Sequence, residues 1–597
     1  MKNSMWRSRL LLFIISFFPY VSIAQSAEDI ERILALTGLE SPEELDEHEV
    51  ERLAAYLHRP VRINLATVSS LRASGLLTPF QVASIADYRV RHGDIMSFTE
   101  LSAVDGFTDD IARTLMPFIS LDGGSLVPQG NDNACLNSDL AVRGGIKVVE
   151  NSYTGGYAAK YRCGFGDGWT ISLSASSPYS RNLAVPGVFS GCICWEPSRR
   201  PFKLVAGDFN ARFGQGLVLW NGMSMTGMAK ASSFYRSSTG LSPTWSFTGS
   251  SANTGVGCEF FASRIRISAL VALPEFKSKG FKATSLLPAL NLGWYGRNMY
   301  MSVTHCLEYV PADARRVEYV SDMKTSADVA MTINGTDIFS ELAFDWVNAV
   351  PAFLAGTRFP VGEDVVMGAH LRYYPAAYNP VRSAAPRSVS KCSNEYGLSL
   401  ACDYLPNLKR MTGSLSLDTA FLPESKEPDR FSVHLKLLAD TEIRVSDSLV
   451  AKLRFSERYR TWEQKFKTDF RADLTWSSGC FSVSGRVNLL KYVDTSFLAY
   501  LEGGYKRENL SIYFRQLFFI ADNWDDRIYA YERDAPGNFT VPAFYGRGMN
   551  TALNVSYRFS RWGRLYVKGT MTSYPFMPSE KKKPGKAELK LQLVFSF

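Results

Sequence analysis

Few side chains in this chain are placed for reactive chemistry. Six histidines are present, His48, His58, His92, His305, His370 and His434, and none sits in a G-x-S-x-G or H-E-x-x-H pattern. Nine cysteines are scattered singly apart from Cys192 and Cys194, with no C-x-x-C pair, so zinc and redox readings have little support. They read as small apolar fillers; some could pair in an oxidising compartment, and the odd count leaves at least one free. The acidic run Asp522-Asn523-Trp524-Asp525-Asp526 has oxygen ligands that suit Ca²⁺, but such runs more often cap turns or pair with arginines, here Arg527 and Arg533. No catalytic residue, metal or cofactor is expected, and the chain reads as a non-enzyme.

What remains is the chemistry of backbone amides and fixed charges. Two turns, Gly75-Leu76-Leu77 and Gly106-Phe107-Thr108, precede apolar helical stretches, where amide groups can meet a phosphate or a partner chain. The run from Gly207 to Trp220 breaks strand alternation, and Gly207, Asp208, Gly214, Gln215 and Gly216 are expected in an inward plug or constriction. No Lys-Ser/Thr follows it, so it is not a phosphate loop. Lys467, Asp469, Arg471 and Asp473 alternate with Phe466, Phe470 and Leu474, which predicts lumen-facing charges in salt-bridge ladders across neighbours rather than an ion filter.

These residues need elements to position them. Lys2, Arg7 and Arg9 precede the apolar run Leu10–Ile15, and Ser22-Ile23-Ala24 offers a cleavage site, so residues 1–24 read as a signal peptide. Residues 25–122 read as a small helical periplasmic domain: a helical stretch from Glu28 to Leu57, then paired short helices over 61–120. A turn-rich linker over 123–137 leads to alternating stretches from 138 to 597. Ala587, Leu589, Leu591, Leu593, Phe595 and Phe597 form an apolar face that ends on an aromatic residue, and Leu593, Phe595 and Phe597 look like a barrel-assembly signal. Comparable alternation over 431–437, 451–456, 466–476 and 553–559 predicts a mainly β chain, a large antiparallel transmembrane barrel of roughly 20–24 strands. A barrel that wide has to be filled or it leaks. Charge divides along the same boundary: residues 26–122 carry eight basic and seventeen acidic residues, net −9, while residues 123–597 carry net +14.

Ile63-Asn64-Leu65-Ala66-Thr67, Ala83–Arg89 with Tyr88-Arg89, Gly93, Val104-Asp105-Gly106-Phe107 and Leu115–Ile119 resemble the tandem helix-hairpin-helix domain of competence-type DNA-binding proteins. That resemblance implies phosphate contact at hairpins of the form Gly-hydrophobic-Gly. Here both second glycines are missing, and Asp109-Asp110 stand where a phosphate would sit, so DNA is the alternative partner and protein contact the leading one. With the Gly-Asp-Phe…Phe-Gly-Gln-Gly-Leu and Asp-Arg-Ile-Tyr-Ala-Tyr-Glu stretches, the chain is similar to a family of Bacteroidetes outer-membrane proteins, which implies a bacterial outer-membrane setting with the head in the periplasm. The expected partners are outer-membrane lipid and lipopolysaccharide, the barrel-assembly machinery and a periplasmic protein. The expected function is envelope transport or assembly with the head as gate or docking element; DNA uptake and a non-conducting scaffold are the alternatives.

Overall fold

The computed structural model describes residues 27–37, 47–58, 60–122 and 137–596, apart from short breaks of which the longest cover 181–185, 222–227, 248–251, 311–319, 426–430 and 579–582. The expected signal peptide, Phe597, Thr108 and nearly all of the linker lie outside them.

The N-terminal part is helical: α1 (Ala27–Thr37), α2 (Glu47–His58), α3 (Pro79–His92), α4 (Phe98–Ser102) and α5 (Asp109–Leu115). A parallel bridge between Val61–Arg62 and Ile119–Ser120 ties its two ends together. Thr78 begins α3 with a complete capping box, accepting from Gln81 N while the Gln81 side chain accepts from Thr78 N. Ile30, Ile33, Val50, Leu53, Ile63, Val82, Ile85, Leu101, Leu115 and Phe118 form one buried core. Asn64 fixes the loop ahead of α3, its side chain bonding Ile95 N and O and Leu121 O. Arg89 donates to Ile63 O and Ala66 O, and Tyr88 donates to Glu100 Oε1 at 2.6 Å. That bond holds the Glu100 carboxyl below its ordinary range and the Tyr88 phenol above its own.

From Asn137 onward the chain forms a closed barrel, a meander of 24 antiparallel wall strands in which each pairs with its neighbours in sequence. The first strand, Asn137–Val149, pairs with the last, Lys586–Ser596, and closes the wall. The end that carries the start of the first strand and the finish of the last is joined by tight turns, such as Asn334-Gly335 and Gly479-Cys480. The other end carries the long connections, including 213–252, 375–394 and 522–545. In a membrane barrel the short-turn end is periplasmic and the long-loop end external.

Alternation places side chains on two faces. Along Glu395–Tyr404, Glu395, Ser399 and Asp403 are buried inside while Leu398, Leu400 and Tyr404 are exposed outside. The exposed outer residues are mostly Leu, Val, Ile and Phe, a surface that only lipid covers without penalty. Aromatic rings stack around both rims: Phe165–Trp169–Trp195–Phe202 at the short-turn end, and Phe353–Tyr373–Tyr396–Phe421–Phe431 at the other. No helix among the described residues is long and apolar enough to cross a membrane.

Candidate functional site in the barrel lumen

The barrel is filled from both ends. Three connections of the long-loop end turn inward. In the first, Phe213, Leu217, Leu219 and Phe234 pack on inward residues of the wall, Phe209, Leu270, Ala272 and Phe339, making an apolar core inside the lumen. The second, 375–394, lies against it: Trp220 N donates to Arg382 O, Ala384 N to Gly216 O, and Tyr378 Oη to Leu217 O at 2.9 Å. Arg236 reaches Ala384 O, and its burial lowers its guanidinium pKa to about 10. The third, 522–545, is held by charge: Asp534 meets Lys568 at 2.9 Å and Lys590 at 3.2 Å, and Glu532 meets Lys568 and Arg515, both at 3.3 Å. Burial raises the Asp534 carboxyl, but the two ammonium groups outweigh it and hold the group well below the carboxylate range.

The helical head occupies the short-turn end. Helix α3 lies against the wall strand Met299–Val310, and Tyr531 of the third inward connection packs on the head's core. The residues singled out by sequence fall on different parts of this assembly. Gly207 and Asp208 belong to the wall strand Phe202–Arg212, where Asp208 accepts from Gly191 N and from Thr254 Oγ1, stitching the strand to both neighbours. Gly214, Gln215 and Gly216 lie in the inward turn. Glu341 of the wall accepts from Gln215 N at 2.7 Å and Leu217 N at 3.1 Å, and a Cβ at Gly214 (φ +60°) would lie 2.6 Å from that carboxylate.

Lys467, Asp469, Arg471 and Asp473 point inward from the strand Lys465–Ser478, with Phe470, Leu474 and Trp476 outside. Asp473 accepts from Arg486 at 2.5 Å and Arg471 at 2.7 Å, Asn488 donates to Asp469, and Lys467 lies over the Tyr492 ring. His434 on the neighbouring inner face accepts from Arg460. The run Asp522–Asp526 is used internally: Asp522 grips Arg547, and Asp526 accepts from Val493 N and Asp494 N. Among the described residues no cluster suits a metal ion, and the eight described cysteines are unpaired. Leu593 faces outward on the closing strand and Phe595 stacks on Trp562.

Of the two hairpins, Gly75 and Gly106 both take positive φ, the conformation that favours glycine at a tight turn. Leu76, Leu77 and Phe107 are buried in the head's core. Gly75 is turned toward Thr239 of the first inward connection, beside Arg52, so this hairpin faces the lumen's contents. Sequence reasoning missed the contribution of 375–394 and the roles of Trp220, Thr239 and Tyr531; the available signal was a proline- and alanine-rich stretch without alternation, Pro375–Pro386.

No protein-family model matches the chain, and no curated protein matches it in sequence. The solved structures it resembles are outer-membrane barrels. The copper transporter OprC aligns at 8% identity and TM-score 0.38, and the siderophore receptor PirA from Pseudomonas aeruginosa at 8% and 0.40, each over 79% of this chain and 81% of its own. The FrpB iron transporter from Neisseria meningitidis aligns at 9% identity and TM-score 0.35, over 77% of this chain and 81% of its own. At TM-scores this low these matches decide nothing about this chain, and what those proteins carry is a property of theirs.

Proposed function

We propose that this chain is an outer-membrane transport component in which the helical head, seated in the periplasmic mouth, is the movable gate. The observation that carries the reading is the asymmetry of the filling. The external connections are welded to the wall by buried ion pairs and an apolar core, whereas the head is a separately cored unit that meets the lumen at Tyr531, at the Gly75–Thr239 approach and along α3. A unit with its own core can shift without unfolding the wall. A periplasmic protein that grips the head is the natural actuator, and the seated first hairpin disfavours DNA as its ligand, since a duplex has no approach to Gly75 in this arrangement.

Vesicle permeability tests this. Lipid vesicles containing the intact protein should leak small sugars slowly, and vesicles containing a chain lacking residues 26–122 should leak at least severalfold faster. Equal leakage from both, with the truncated barrel folded, would show that the external connections alone close the lumen and that the head is no gate.

A further inference from the structure

A cavity of about 340 Å³ lies where the head, the first inward connection and the wall meet. Its size is that of a small-molecule site. Head residues on either side of the first hairpin, Arg52 and Gln81 among them, form its floor; Trp220, Lys230 and Thr239 come from the inward connection, and Ser414 from the wall. Four polar atoms lining it have no hydrogen-bond partner among the described residues: the indole Nε1 of Trp220, Thr239 Oγ1, Ser414 Oγ and the Oδ1 oxygen of Asp403, a carboxylate otherwise engaged. All four side chains are more than nine-tenths buried, Trp220 at 9%, Thr239 at 6%, Ser414 at 8% and Asp403 at 3% exposure. Buried polar groups are almost always bonded, because leaving one unmade costs its full desolvation. Four that converge on one cavity point to a ligand that completes them.

Charge identifies the class. Arg52, Arg212, Lys230, Arg236 and Arg358 line the cavity against Asp337, Asp403 and Asp440, five cations to three carboxylates. Asp337 pairs with Arg358 at 3.7 Å, which leaves four cations to two carboxylates around the cavity. Trp220 Nε1 can only donate and both hydroxyls can donate, while Asp403 Oδ1 accepts, so the open positions match a guest rich in acceptors that also carries a hydroxyl. Arg212 and Arg236 both sit over the Trp220 ring, which fixes the indole's orientation. We infer that this cavity binds a small anionic solute, of the size of a di- or tricarboxylate, between the head and the inward connection. The inference deepens the transport reading and rests on it for its biological meaning. A guest held there bridges gate and wall, so its release requires the head to move.

Calorimetric titration of the intact protein in detergent with citrate, and with sucrose as the neutral control, tests the inference. Citrate should bind and sucrose should not. Thr239→Val and Ser414→Ala should each weaken citrate binding about tenfold or more, the loss of one hydrogen bond to a charged guest. Neither should lower the thermal midpoint of the ligand-free protein, because neither removes a bond present in it. Lys230→Gln should weaken citrate binding as well. Absence of citrate binding at millimolar concentration, equal binding of sucrose, or affinity unchanged in the Val and Ala variants would overturn the inference. The vesicle assay reads the gate independently, so loss of this site and loss of the gating role are separable.

Discussion

Asp534 shows how single side chains hold the lumen's filling in place. Its side chain is 1% exposed and takes bonds from Lys568, Lys590, Thr540 Oγ1 and its neighbour Ala535 N. Breaking one partner of a buried pair costs about 3–5 kcal/mol. Here Glu532 and Glu588 remain beside the two lysines, so Asp534→Asn should cost less, about 2–3 kcal/mol. The expected result is a lower thermal midpoint and protease cleavage within 522–545, read by mass spectrometry of the fragments. The pH dependence follows from the lowered carboxyl. Its contribution is complete above the unfolded value of about 4 and is lost only as pH falls through the lower folded value. Wild-type cleavage in this connection should therefore stay flat from pH 8 to pH 5, and an early rise would contradict the assignment.

At the scale of the strand, the two faces answer to different solvents, and the effects of substitution should follow depth. Leu591 is exposed on the outer face mid-way along the closing strand, while Leu593 lies nearer the aromatic rim formed by Phe559, Trp562 and Phe595. Leu591→Arg should destabilise the barrel by about 2–4 kcal/mol and Leu593→Arg by about 0–1 kcal/mol, measured by urea unfolding in lipid. Equal costs would mean that the outer face does not contact a hydrocarbon layer. This alternation was legible in the sequence, and so were the strands over 431–437, 451–456, 466–476 and 553–559, since a period of two survives any tertiary context. Less legible were strands that meet protein on both sides. In Phe202–Arg212 the final residues Phe209–Arg212 are all buried, because the short strand Gly240–Pro243 pairs there and the inward connection covers them. Of the glycines in that region, Gly207 serves the wall, and Gly214 and Gly216 serve the turn. A residue string cannot show where a strand stops being wall and starts being plug.

Over the whole molecule, the opposite charges of the two parts become meaningful once they are nested. The acidic helical part, net −9, sits in the mouth of a barrel part of net +14. Attraction between such surfaces is screened beyond about 10 Å at 0.1 M salt and about 3 Å at 1 M. Raising salt from 0.05 to 1 M should speed trypsin cleavage at the head's arginines, with the barrel unaffected. Cleavage independent of salt would assign the seating to apolar contacts such as Tyr531 alone.

The sequence by itself determined what depends on local period and composition: a helical part followed by a sheet, an apolar outer face, and charges inside. These are set by the residue string because each residue's side of a strand follows from its neighbours two places away. Only the tertiary structure decided what fills the barrel. The meeting of Trp220, Thr239 and Ser414 with Arg52 joins residues up to 362 positions apart, brought together by closure of the wall and inward folding of its loops. No periodicity encodes that, because loop and head settle against surfaces that exist only after the barrel has closed.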